Sequence, residues 1–177
     1  MQKDAMKPDD PTSPQPSPPL RGGEGAQARF SQLRARLRLP LIAAPMFLVS
    51  GVELVAAACR AGVVGAFPTA NCRSAEELDR WLHDIAFRLR DAPGAAPYAP
   101  NLIVHRSNPR VAEDLAVLLR HAPELVITSV GSPAPVLGPL HDAGALVFAD
   151  VASLRLGRAK RAGLLVSVLS VSPWSVF

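Results

Sequence analysis

From Leu39 onward, short apolar runs alternate with longer stretches whose apolar residues recur every three or four positions. The short runs Leu41–Pro45, Val63–Phe67, Tyr98–Val104, Leu125–Val130 and Ala145–Val151 read as strands. Between and after them, helices are predicted over Val52 to about Arg60, Ala75 to about Arg90, from Pro109, from Pro133 or Pro135 to Gly144, and over Ser153–Ala162. In the second of these, Leu78, Trp81, Leu82, Ile85 and Leu89 form one buried stripe. Ser50 with Glu53, and Ser74 with Glu77, have capping-box spacing. Asn108 before Pro109 is a favoured N-cap pairing, and Gly62 suits a helix stop.

Nearly continuous apolar strands, each followed by a helix, predict a parallel sheet covered on both faces. Strand starts about 20 to 35 residues apart fit either a (β/α)8 barrel or a doubly wound sheet, and the pattern leaves both open. The absence of a G-x-G-x-x-G turn speaks against a dinucleotide-binding unit.

The two ends differ from this middle. Residues 1–28 are rich in Pro, Gly and Ser and predict a disordered leader, followed by a short basic helix over Phe30–Arg38. The domain division is therefore 1–38 as leader and basic segment, 39–163 as folded body, and 164–177 as tail. That tail, LLVSVLSVSPWSVF, carries no charge. It begins as a plausible sixth strand and continues into no recognisable helix.

Charge follows the same division. Residues 1–38 hold seven basic and four acidic side chains, residues 152–177 four basic and none acidic, and residues 39–151 eight basic and eleven acidic. The high isoelectric point thus belongs to the ends. A mildly acidic body argues against a nucleic-acid interface. No apolar run reaches the roughly 18 residues of a membrane span, and the N-terminus lacks a signal-peptide core, so a cytoplasmic protein is expected. Cys59 and Cys72 show no metal-ligand spacing and read as a reduced core thiol and a reduced loop thiol.

Both α/β architectures bind ligands beyond the C-terminal ends of their strands. The candidates there are Pro45 and Met46, Phe67 to Thr69, Asn101 to His105, Thr128, Ser129, Gly131 and Asp150. Asn101 stands inside a strand, where Asn is disfavoured. Its amide either hydrogen-bonds a planar heterocycle or is satisfied by a neighbouring strand's backbone. His105 reads as a general base or as a loop histidine. Asp150 either orients a ligand or caps the next helix. No Ser-His-Asp or Cys-His arrangement is present.

Five segments occur in familiar order: Ala44-Pro45-Met46, AGVVGAFPTAN at 61–71, NLIVHRSNPR at 101–110, ITSVGSP at 127–133 and LVFADV at 146–151. Together they resemble nitronate monooxygenases, over about residues 39 to 151. The resemblance implies an incomplete (β/α)8 TIM barrel of five to six β/α units, with FMN as cofactor. It implies oxidation of alkyl nitronates by molecular oxygen to a carbonyl compound and nitrite. FMN-dependent enoyl reductases are related barrels. By the resemblance, Ala44, Pro45 and Met46 lie against the flavin, Asn101 hydrogen-bonds it, Ser129 and Asp150 belong to its pocket, and Phe67 and His105 lie toward the substrate. The family's Gly-rich segment of the G-A-G-G-H-x-G type, which carries the catalytic His, has no counterpart here, so no catalytic residue is assigned. A full barrel needs roughly 200 to 250 residues. The sequence is therefore expected to be a truncated or frame-shifted member with impaired activity, or an inactive barrel fragment, prone to self-association through open sheet edges.

Overall fold

The computed structural model describes residues 22–150 and the strand at 165–167. The leader up to residue 21, the helix expected over Ser153–Ala162 and the tail beyond residue 167 lie outside the described residues. The elements in chain order are α1 (Gly22–Arg36), β1 (Ile42–Ala43), α2 (Val52–Arg60), β2 (Val64–Pro68), a 3-10 turn (Thr69–Asn71), α3 (Ala75–Leu89), β3 (Tyr98–Ile103), α4 (Val111–His121), β4 (Leu125–Ser129), α5 (Ala134–Asp142), β5 (Leu146–Asp150) and β6 (Leu165–Ser167). Among the described residues, no helix is long and apolar enough to cross a membrane.

All strand pairs are parallel, and their order is β1-β2-β3-β4-β5-β6. A doubly wound sheet would reverse its order at a switch point. Sequential winding through α2 to α5 keeps these crossovers on one side and curls the sheet into an incomplete TIM barrel.

Strands β2 to β5 feed two cores, because successive side chains point to opposite faces. The outer core joins Phe67, Leu102, Val126 and Val147 to Val55, Leu78, Leu82, Ile85, Leu118 and Leu140 of α2 to α5. The inner core joins Val64, Ala66, Ala99, Leu125, Ile127, Leu146 and Phe148 to Leu33 of α1. Gly65 lets α2 lie directly on β2, since a Cβ there would collide with the Val55 carbonyl oxygen and stand 3.1 Å from Cys59 Sγ.

The basic helix expected over Phe30–Arg38 starts earlier, at Gly22, so disorder does not extend to residue 28. α1 covers the N-terminal end of the inner face. Phe30 packs tilted against Phe148 at 5.8 Å between ring centroids, Arg29 Nη1 donates to the Gly144 carbonyl at 2.7 Å, and Arg36 pairs with Glu124. Gly144 and Glu124 stand at the starts of β5 and β4, so the C-terminal end of the inner face is left as the mouth.

Cys59 and Cys72 are both fully buried and free. The placement of Cys72 as a loop thiol is half right: it follows the 3-10 turn, but its side chain enters the outer core. Burial raises Cys59 to about 11 and Cys72 to about 12.

Candidate functional site at the barrel mouth

Strand alternation decides which candidates reach the mouth. Ala99 of β3, Leu125 and Ile127 of β4, and Leu146 and Phe148 of β5 face inward. Asn101, Ser129 and Asp150 follow at even spacing and therefore share that face. The register pairs Pro68 with Asn101, Asn101 with Ile127, and Ile127 with Phe148, which makes one row across four strands. One step nearer the mouth, Ile103 pairs with Ser129, and Asp150 follows the Thr128–Ala149 pair beside it. The amide thus forms the floor, with the hydroxyl and the carboxyl above it.

Asn101 is 8% exposed, and its Oδ1 has no hydrogen-bond partner among the described residues. An orphaned buried acceptor costs about 1–3 kcal/mol. The neighbouring backbone that could have satisfied this oxygen does not do so. Ser129 is buried, and its carbonyl accepts from the Val104 N–H at 3.0 Å. Asp150 stands exposed at the strand end, yet partial desolvation holds its carboxyl above the ordinary value.

The β1–α2 loop closes one side. Ser50 is buried and spans the loop: its Oγ accepts from Met46 N–H at 3.0 Å and donates to the Ala44 carbonyl at 3.2 Å. Its expected role as helix cap is therefore not realised. Gly51 is the N-cap, and Glu53 pairs with Arg88 instead. Ser74 does cap α3, accepting from Glu77 N–H at 3.2 Å. Met46, Phe47, Leu48 and Val49 are exposed, and Leu48 has φ +61°. Val130, just past β4, has φ +57° and is 62% exposed. Left-handed backbone in such bulky residues is strained; Leu48 lies in the β1–α2 loop and Val130 directly follows β4.

Phe67 does not reach the substrate side. With Val64 and Ala66 facing inward, Phe67 faces the helices, is fully buried and stacks on Trp81 at 5.6 Å. Its apolar bulk belongs to the outer core, which parity dictates once the register is known. His105 is exposed beyond β3, and its Nδ1 lies 2.7 Å from Ser107 Oγ. With Arg106, Asn108, Gly131 and Ser132 it lines a hollow of about 450 Å³ that reaches Val111 and Pro135. Asn108 is not the cap of α4. Its Nδ2 donates to the Ile103 carbonyl at 2.8 Å and its Oδ1 accepts from Arg110 N–H at 3.1 Å, so the helix starts at Val111. Arg110 then donates to the Cys72 carbonyl and to buried Asp114, both at 2.6 Å.

No protein-family model matches the chain, and no curated protein matches it. Solved structures do. FabK from Thermotoga maritima superposes with a TM-score of 0.66 at 22% identity, covering 77% of this chain and 41% of FabK. A point mutant of FabK gives the same score and identity, covering 43% of its own chain. The chain shares its TIM-barrel fold with FabK. It spans less than half the length of FabK, and at this identity the likeness to FabK is one of fold.

Proposed function

We propose that this chain contributes the flavin-facing wall of an FMN-dependent oxidoreductase of the nitronate monooxygenase type. The observation that carries the proposal is Asn101. A buried amide oxygen with no partner among the described residues, at the floor of a barrel mouth, fits a heterocycle that presents an N–H donor. FMN is such a molecule. Residues that would hold it are Asn101, Ser129, Asp150 and the backbone of Ala44 to Met46. FMN, when bound, would supply the redox chemistry of nitronate oxidation by oxygen. The chain's own residues orient and enclose. Asn101 would accept the ring's N–H, the Ala44–Met46 backbone would close one side, and Asp150 would offer a carboxyl at the upper row. His105, on the helix side of the rim, is the remaining substrate-side candidate.

The likeness to FabK supports a second reading, in which the same wall serves enoyl reduction, because FabK is an FMN-dependent enoyl reductase. Both are tested on purified full chain titrated with FMN. Saturable quenching of flavin fluorescence supports the wall. Oxygen uptake with an alkyl nitronate supports the first reading, and nicotinamide-dependent reduction of an enoyl thioester supports the second. A chain that takes up no FMN refutes both.

A further inference from the structure

We infer that Asn71 is a positioning residue for the flavin-facing loop, an inference that rests on the flavin reading above. Asn71 ends the 3-10 turn after β2, yet its side chain is spent entirely on the β1–α2 loop. Its Oδ1 accepts from Leu48 N–H at 2.9 Å, and its Nδ2 donates to the carbonyls of Met46 at 3.2 Å and Ser50 at 2.9 Å. These three bonds enclose the residue whose φ is +61°. A left-handed leucine that is 79% exposed gains little from packing, so the hydrogen bonds hold it there. Ser50 completes the clamp from within, bonding Met46 N–H and the Ala44 carbonyl. The result is a fixed course for Ala44, Pro45 and Met46, the segment assigned to the flavin's side. A pre-set wall lowers the ordering cost of binding. Neither Asn71 nor Ser50 touches the proposed cofactor; both act through the loop backbone.

The test compares wild type, Asn71→Ala and Ser50→Ala in the full chain, by amide hydrogen exchange without flavin and by FMN titration. Expected for both variants are faster exchange at Leu48 or Met46, and FMN binding weakened about tenfold or more. Bound flavin should also lose the fine structure of its visible band. Unchanged exchange overturns the clamp. Faster exchange with unchanged FMN affinity and spectrum overturns the positioning role alone. Wild type that binds no FMN overturns the flavin reading, and the positioning role with it. If Asn71→Ala fails to fold, Asn71→Asp carries the same comparison, because it keeps the acceptor for Leu48 N–H and removes the donor to the Met46 and Ser50 carbonyls.

Discussion

At the residue scale, the mouth holds groups that cost stability. Asn101 Oδ1 is the sharpest case, and Asn101→Leu should stabilise the apoprotein by about 1 kcal/mol while weakening FMN binding at least about tenfold. Thermal melts and flavin titration check the two effects, and a destabilised variant would show that the amide is satisfied after all. Asp150 gives a pH-dependent case. Its folded pKa lies above its ordinary 3.8, so the native state holds the proton more tightly than the unfolded chain. Stability therefore falls as pH rises from about 3.8 through the raised value, and the penalty is complete above it. Asp150→Asn should melt with wild type well below pH 3.8 and above it at neutral pH. A variant that instead loses stability at neutral pH contradicts the direction of that shift.

At the element scale, agreement between sequence and structure is closest where local signals and tertiary packing coincide. α2 spans Val52–Arg60 as its periodicity predicts, and α3 keeps its Ser74 cap and its Leu78, Leu82 and Ile85 stripe. β1 shrinks from five residues to two, because past Ala43 the backbone bonds to the Ser50 hydroxyl of its own loop rather than to β2. Ser50 and Asn108 carry cap signatures but spend their side chains on loop backbone. A hydroxyl or amide near a helix start has several backbone groups in reach, and only the fold fixes which are near. The α2–β2 contact leaves no room at Gly65. Gly65→Ala should cost about 1–3 kcal/mol in denaturant unfolding, and a neutral substitution would mean that α2 can slide away from the sheet.

At the scale of the whole molecule, sequential parallel winding separates a helix-covered outer core from an inner face that α1 closes at one end. The outer side of β1 pairs with no strand among the described residues, and Leu39 and Leu41 beside it are 51% and 56% exposed. Unpaired edges next to apolar side chains recruit further strands. We propose that the chain self-associates through this edge. Light scattering should show mass rising with concentration, and Leu41→Lys should reduce that rise. A monodisperse monomer across the concentration range would remove the proposal.

By itself, the sequence determined the alternation of strand and helix, the parallel class, the strand that holds Asn101 and the strand ends where Ser129 and Asp150 stand, because periodicity and caps are local properties. Only the tertiary structure decided between barrel and doubly wound sheet, since that difference lies in strand order and not in any segment. It also decided facing. One register sends Asn101 inward, its Oδ1 without a partner among the described residues, and Phe67 outward onto Trp81. Asn71 went unnoticed as a site residue for the same reason: 23 positions separate it from Leu48, and folding alone brings them together.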